Sequence, residues 1–172
     1  MSSSLVGVWL SWHASRPEKA EKVARMKILL AIDDSKFSKA ATQAVIARAH
    51  PKSTEVRVLH VVEPFAPILA GEGGYDPTLE AFWDEATKKA KIVVAKTAET
   101  LRSHGIKATT AVQQGDPKSM IIDVSNKWRA DLIVLGSHGR TGLERFLMGG
   151  VSDAIARHAR CSVEIVRIRS KH

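Results

Sequence analysis

A glycine-rich loop near the end of the chain has the residue types that bind phosphate. It follows residues 132–135, four branched apolar residues typical of a parallel strand buried on both faces. It precedes residues 151–159, VSDAIARHA, which have a helical pattern. Glycines let backbone N–H groups approach an anion closely, and a helix N-terminus adds about half a positive charge. The small residues of this segment are Gly136, Ser137, Gly139, Gly142, Gly149, Gly150 and Ser152.

Two side chains of this loop could contact phosphate oxygens directly. Arg140 would use its planar guanidinium group, and His138 would use a ring N–H. Arg140 could instead be a solvent-exposed charge, and Gly139 and Gly142 could merely shape a surface loop. The chain contains neither Gly-x-x-x-x-Gly-Lys-Ser/Thr nor Gly-x-Ser-x-Gly, so a P-loop NTPase and an α/β-hydrolase are not predicted.

The composition indicates one α/β domain. A chain of 172 residues can bury one large core, and its 44% hydrophobic content includes only 5% aromatic residues. Cys161 is the one cysteine of the chain, so no internal disulfide can form. We therefore expect a reducing, cytoplasmic location, with Cys161 packed as a small apolar residue at a strand start rather than acting as a reactive thiol.

The formal net charge of +8 raises the question of a polyanionic partner. Residues 1–25 contribute four basic and two acidic side chains, and Arg167, Arg169 and Lys171 lie at the other end. The remaining excess is scattered along predicted helices among acidic neighbours, with no basic stripe interleaved with aromatic residues. This distribution predicts that the chain has no nucleic-acid partner.

The first 25 residues differ from the rest of the chain. Residues 5–12, LVGVWLSW, are apolar, but no Lys or Arg precedes them, and crossing a bilayer takes roughly 20 apolar residues. We therefore predict no membrane partner. Because Met26 stands directly before the first predicted strand, we hypothesise that it is the native start. Residues 1–25 are then an N-terminal extension, 26–169 the folded domain and 170–172 a tail.

Strand and helix patterns alternate along the domain, which predicts βαβ units around a parallel sheet. Asp34 and Ser35 can both cap the first helix, Gly105 ends the second, and Pro117 begins the third. Residues 63–77 form a Pro- and Gly-rich connection that could be a flap near a ligand, a partner surface or a disordered segment. Strands are predicted at 27–33, 55–62, 106–113, 132–135 and 162–168, and helices at about 36–49, 78–104, 117–128 and 151–159.

The glycine spacing resembles the nucleotide-binding signature of the universal stress protein family. Gly136, two residues, Gly139, nine residues and Gly149 match it, but Gly150 stands where the family normally has Ser or Thr. The resemblance extends from Met26 to about Arg167. It implies a doubly wound, Rossmann-like parallel sheet of five strands in the order 3-2-1-4-5, as in the adenine nucleotide alpha hydrolase-like folds. Residues 31–35 should then face 136–140 across the switch point between the first and fourth strands.

The resemblance also implies ATP as the ligand. Asp33 would reach the ribose or a phosphate-bound Mg²⁺ or Mn²⁺. Asp34 replaces a common Gly, and its carboxylate would repel the phosphates unless Mg²⁺ or Mn²⁺ lies between them or Asp34 turns outward as a helix cap, which we favour. Because His60 directly precedes the adenine-facing Val61, we expect it to be a packed core residue. The implied nucleotide contacts are Ala31, Ile32, Asp33, Val61, Gly136, Ser137, His138, Gly139, Arg140, Gly149, Gly150, Val151 and Ser152.

Three functions remain open from the sequence. The first is an ATP-binding, stress-response regulatory module that forms a homodimer through its last strand, as relatives do, although Glu164, Arg167 and Arg169 could instead protect this edge and leave a monomer. The second is a nucleotide-free, dimeric structural or chaperone-like stress protein, which Gly150 favours. The third is a slow ATPase or autophosphorylating protein, although no base or nucleophile is evident and we assign no catalytic residue.

Overall fold

A computed structural model of the protein describes residues 25–63, 77–139 and 149–168. Strands and helices alternate throughout these ranges, as the sequence predicts. The elements are β1 (Met26–Ala31), α1 (Lys36–Arg48), β2 (Thr54–Val62), α2 (Pro77–Ser103), β3 (Lys107–Gln114), α3 (Pro117–Trp128), β4 (Leu132–Gly136), α4 (Gly150–His158) and β5 (Ser162–Val166).

The five strands form one parallel sheet in the order β3-β2-β1-β4-β5. This confirms the predicted fold class and strand order. β1 lies between β2 and β4, with Ala31 opposite both Leu59 and Leu135. β1 ends two residues earlier than predicted, because Asp33 donates its backbone N–H to Ser38 Oγ at 2.9 Å rather than to a neighbouring strand.

Alternate residues of β1, the central strand, pack in two separate hydrophobic cores. Ile28 and Leu30 pack in a buried cluster with α1 and α2, while Leu29 and Ala31 face a second cluster that includes residues of α3 and α4. Strand side chains alternate between the faces of a sheet, so helices on both sides are needed to cover β1. The architecture is therefore doubly wound. Among the described residues, no helix is both long and apolar enough to cross a membrane.

The cap of α1 differs from our expectation for Asp34. Ser35 is the N-cap, and its hydroxyl oxygen accepts the backbone N–H of Ser38 at 3.1 Å. Asp34 is exposed, as expected, but its φ of 64° places it in the left-handed region, outside the cap position. Glycine tolerates this conformation best, and Asp is among the few other residues that adopt it readily.

Two other residues lie where the sequence predicts. His60 is 7% exposed and lies within β2, so it belongs to the core. Cys161 directly precedes β5 and is half-buried, and burial raises the pKa of its thiol above the ordinary value. A raised pKa reduces the thiolate fraction, so the structure favours a packing role for Cys161 over a reactive one.

Helix α1 passes directly over the end of β4. A Cβ atom added at Gly136 would lie 2.6 Å from Phe37 Cβ and 2.9 Å from its backbone carbonyl carbon. Both distances are far inside van der Waals contact, and the nearby atoms belong to the first turn of α1. Glycine at position 136 therefore sets how closely the helix approaches the sheet.

We predict that Gly136→Ala destabilises the fold by about 1–3 kcal/mol, because the added methyl group must displace α1. Gly150→Ala is the control, since a Cβ at Gly150 would meet no atom within 4 Å. It should change the free energy of unfolding by less than about 1 kcal/mol. Urea denaturation of the two variants measures both effects. Equal stabilities would contradict the close approach of Phe37 to Gly136.

Candidate functional site

The turn after β1 holds one carboxylate in a fixed orientation. Asp33 Oδ1 accepts the hydroxyl of Ser38 at 2.6 Å and the backbone N–H of Ser35 at 3.2 Å. Ser38 is in the first turn of α1, where the Ser35 cap fixes its backbone. The start of α1 therefore determines the orientation of the Asp33 side chain.

The second carboxylate oxygen of Asp33 faces the glycine loop. A Cβ at Gly139 would lie 2.8 Å from Asp33 Oδ2, so the carboxylate and the loop backbone are in close contact. Any side chain at position 139 would have to displace the carboxylate. The two turns that the sequence places at the switch point, 31–35 and 136–139, are therefore adjacent.

The start of the glycine loop is held from both sides. Ser137 is 1% exposed and donates its backbone N–H to Val166 O of β5 at 2.9 Å. Its hydroxyl lies 3.0 Å from Nδ1 of His138. The His138 ring is half-buried, with its centroid 5.1 Å from that of Phe37. Phe37 therefore packs close to both Gly136 and the His138 ring.

The N-terminus of α4 adjoins the same loop. Gly149, its N-cap, donates its backbone N–H to Ser137 O at 2.9 Å, and a Cβ at Gly149 would lie 3.4 Å from His138 Cα. Gly149 supplies no side-chain cap, so the first backbone N–H groups of α4, from Gly150 to Ser152, have no acceptor from it. These groups form the positive end of the helix dipole beside the loop.

Ser152 has a structural role in the described site. It is 2% exposed, and its hydroxyl lies 3.0 Å from Ser137 O and 2.9 Å from Gly149 O. The side chain therefore ties α4 to the loop after β4 rather than facing solvent. A phosphate contact from Ser152 would have to use its backbone N–H. Gly150, in contrast, has open space where a side chain would begin.

The positions implied to face adenine lie beside this crevice. Ala31 and Ile32 have buried side chains, and Val61 is half-buried near the end of β2. Ile32 donates its N–H to Leu59 O at 2.9 Å. Any adenine contact from the backbone of Ile32 would therefore use its carbonyl oxygen.

The described residues offer little for a metal ion apart from Asp33. Residues 25–63, 77–139 and 149–168 contain no group of three or more His, Cys, Asp or Glu side chains arranged to hold a metal. A metal at Asp33 would need most of its ligands from a phosphate chain and water, which is how Mg²⁺ commonly binds beside nucleotides. Arg140, Gly142 and the connection at 64–76 lie outside the described residues.

Ser38 and Phe37 contribute to the site although the sequence analysis did not single them out. Ser38 follows the Ser35 cap by three residues, the spacing at which a cap accepts a backbone N–H. That spacing was a usable signal for its position, but not for its contact with Asp33. Phe37 carries no such signal, because its role depends on residues about one hundred positions later.

The chain is similar to proteins of known family over most of its length. The profile of the universal stress protein family matches residues 24–167. Universal stress protein MJ0531 of Methanocaldococcus jannaschii is 35% identical over 143 residues, covering 82% of this chain and 81% of that protein. Universal stress protein Sll1388 of Synechocystis is 29% identical over 149 residues, covering 82% and 97%.

Solved structures share the fold. The structure of MJ0577, also from M. jannaschii, superposes with a TM-score of 0.75 at 26% identity, covering 87% of this chain and 100% of that one. An Arabidopsis thaliana family protein solved with AMP bound superposes at 0.61 with 17% identity, covering 84% and 93%. A universal stress protein in complex with cAMP gives 0.56 at 18%, covering 84% and 98%. With its glycine spacing, strand order and family match in agreement, this chain belongs to the universal stress protein family.

Proposed function

We propose that this protein binds ATP in the crevice between β1 and β4 and acts as a nucleotide-dependent regulatory module of the cytoplasmic stress response. The observation that carries the proposal is the contact between Asp33 and Gly139. It brings a carboxylate and a glycine-rich backbone together at the carboxyl end of adjacent parallel strands, where α/β proteins bind ligands. The AMP and cAMP complexes of two structural neighbours support an adenine nucleotide as the class of ligand.

The two sides of the crevice suit different parts of the nucleotide. Backbone N–H groups of the loop beginning at Gly136 and of the first turn of α4 would bind the phosphates, with His138 beside them. Asp33 would accept hydrogen bonds from the ribose hydroxyls or bind a phosphate-bound Mg²⁺ or Mn²⁺. Adenine would lie against the backbone of Ile32 and Val61. Arg140, also implied by the family signature, would add a guanidinium contact.

Binding fits this site better than catalysis. Ser137 and His138 resemble a nucleophile and a base, with 3.0 Å between the hydroxyl and Nδ1. Ser137, however, is 1% exposed, so a substrate phosphorus atom could not reach its hydroxyl in this conformation. Asp33 is oriented by Ser35 and Ser38, which suits a fixed ligand contact. We therefore assign no catalytic residue and treat ATP hydrolysis as incidental.

We predict that Asp33→Asn weakens ATP binding about tenfold or more, because an amide cannot replace the carboxylate in binding metal or accepting two ribose hydroxyls. Asp34→Asn is the matched control. It removes the same charge one residue later, at an exposed position whose positive φ Asn tolerates. It should leave the affinity unchanged or raise it, since Asp34 would repel the phosphates. Calorimetric titration with ATP and Mg²⁺ measures both dissociation constants.

Two measurements on the native protein decide whether it binds ATP at all. Denaturing it and analysing the supernatant tests for co-purified adenine nucleotide, and titration tests for binding by the nucleotide-free protein. If neither detects a nucleotide, ATP binding is refuted. If Asp33→Asn and Asp34→Asn bind as tightly as the native protein, the role of the Asp33 carboxylate is refuted while binding itself stands.

A nucleotide-free, dimeric structural or chaperone-like protein is the second candidate, because Gly150 lacks the hydroxyl common in the family. A serine fits at this position, since nothing lies within 4 Å of a Cβ there. If the second candidate is correct, Gly150→Ser should create ATP binding that the native protein lacks. If the native protein binds ATP and Gly150→Ser alters the affinity by less than about threefold, a smaller effect than one ordinary hydrogen bond, the second candidate loses its basis.

Dimerisation through β5 is part of both candidates. β5 is an edge strand, and Val166 O accepts a bond from Ser137 on the β4 side. Because the backbone direction alternates along a strand, Val163 and Ile165 present their N–H and C=O groups to the open edge. Their side chains are also only partly buried in the single chain. A second copy could pair with this edge and complete the burial.

We predict that the native protein sediments as a dimer and that Val163→Pro converts it to a monomer, because proline removes an N–H from the free edge. Val163→Ala is the matched control, since it shortens the same side chain but keeps the N–H, and it should remain dimeric. Sedimentation velocity at low and high salt measures the masses, with circular dichroism to confirm folding. A monomeric native protein, or a dimer that survives Val163→Pro, would contradict pairing through β5.

A further inference from the structure

The helix-to-strand turns gather at one end of the sheet. Met26 at the start of β1 donates its N–H to Ser53 O at 2.8 Å, which joins it to the turn before β2. Asp131 in the turn before β4 donates to Lys27 O at 2.9 Å, and Ser162 at the start of β5 donates to Asp131 O at 3.3 Å. In a parallel sheet with helical crossovers, every helix ends at this same end. Basic residues that are distant in sequence therefore become neighbours.

We define the basic end as residues 25–27, 48–55, 102–107, 127–131 and 157–162. It contains ten Lys and Arg side chains against two carboxylates, Glu55 and Asp131, a net charge of +8. The whole chain also carries +8, so the other residues hold sixteen basic and sixteen acidic side chains and cancel. The basic side chains are Arg25, Lys27, Arg48, Lys52, Arg102, Lys107, Lys127, Arg129, Arg157 and Arg160.

Helix dipoles and ion pairs neutralise only part of the net positive charge of the basic end. Each helix C-terminus carries about half a negative charge, so the four C-termini together contribute about two negative charges. These offset about two of the positive charges of the basic end. Glu164 pairs with Arg48, and Asp153 pairs with Arg157 at 2.9 Å. About four positive charges remain after these subtractions. Nine of the ten basic residues are exposed, and Lys27 is half-buried, so the excess faces solvent.

We infer that the basic end docks on the surface of an anionic phospholipid bilayer. Exposed Lys and Arg side chains at the helix ends, the strand starts and the turns between them suit a broad anionic surface, and each basic residue close to such a bilayer adds to its attraction. Docking of this kind needs no membrane-spanning helix. It revises the prediction that the chain has no membrane partner, because that prediction considered only whether residues 5–12 could cross a bilayer and not the basic residues that the fold brings together.

Two observations favour a bilayer over a nucleic acid. The first is Trp128, which is covered by Arg57 at 4.6 Å and Lys27 at 5.6 Å from its ring, so it is a poor platform for stacking the bases of a single-stranded nucleic acid. The second is the apolar run at residues 5–12, which joins the domain at the basic end through Met26, itself 44% exposed. A basic surface and an apolar segment are two signals that peripheral membrane proteins combine.

The chain has the reach that this arrangement needs. Trp12 precedes Met26 by fourteen residues, which can span up to about 48 Å when extended. The apolar run can therefore reach a bilayer that lies against the basic end. A chain that began at Met26 would keep nine of the ten basic residues, so the electrostatic part does not depend on the extension. The crevice between β1 and β4 lies at the opposite end of the strands and would face away from the bilayer.

The test is co-sedimentation of the full chain with phosphatidylcholine vesicles that either contain or lack phosphatidylserine. Binding should require phosphatidylserine and fall as salt increases. Lys52→Gln, Lys127→Gln and Arg160→Gln together neutralise exposed residues from three of the five segments that form the basic end. Each should lower the association constant about fivefold, so the triple variant should bind about a hundredfold more weakly. Circular dichroism confirms that it is folded.

The control variant combines Lys88→Gln, Lys91→Gln and Lys118→Gln, which are exposed and lie outside the basic end. It removes the same charge and should bind vesicles within about twofold of the native protein. Equal losses in the two triple variants would overturn the proposal, since net charge alone would then explain binding. Absence of binding to phosphatidylserine vesicles would also overturn it, and duplex DNA binding in its place would identify a nucleic acid as the partner.

The contribution of the apolar run is tested separately. Trp9→Ser with Trp12→Ser leaves every charge in place and should weaken vesicle binding several-fold, because it removes aromatic groups that favour the interface. If vesicle binding is unchanged, the run has no part in docking.

Discussion

The pairing of β1 with β4 determines where the candidate site of this protein lies. The chain leaves β1 for one face of the sheet and β4 for the other, so a crevice remains where the two strands end side by side. Asp33 and Gly139 occupy this crevice, and their contact requires glycine at 139. The carboxylate could not hold its orientation without α1, whose cap and first turn supply Ser35 and Ser38. The candidate site is thus a consequence of strand order and of one helix start.

The sequence predicts the layout of this site better than its supporting contacts. Four branched residues before Gly136 predict a buried strand, and the glycine spacing predicts the loop, because both signals are local. The sequence cannot tell whether Asp34 or Ser35 caps α1, since both residue types suit the position. The left-handed backbone conformation of Asp34 excludes it from the cap position, and Ser35 is the N-cap. Nor could spacing predict that Ser152 turns inward, because its partner Ser137 lies fifteen residues earlier.

The net charge of the basic end is a second property that the sequence alone does not predict. Along the sequence, each basic residue of the turns stands among neutral or acidic neighbours, and no segment looks polyanion-binding. In the fold, the turns 48–55, 102–107, 127–131 and 157–162 meet at one end, because every crossover in a parallel sheet returns the chain to the same side. The local charge density therefore depends on which segments the topology brings together. Counting charged residues along the chain does not give this information.

The same topology makes the two ends of the domain chemically different. The N-termini of the four described helices lie at the end where β1 and β4 open, yet they are not equivalent. Ser35 caps α1, and Asp116 caps α3, where hydrogen bonds from Ser119 lower the pKa of the Asp116 carboxyl. At α4, Gly149 offers no side chain. Among the N-caps that are described, the one without a side-chain acceptor is therefore the one that the glycine loop enters, so no side chain of the N-cap residue offsets the partial positive charge of α4.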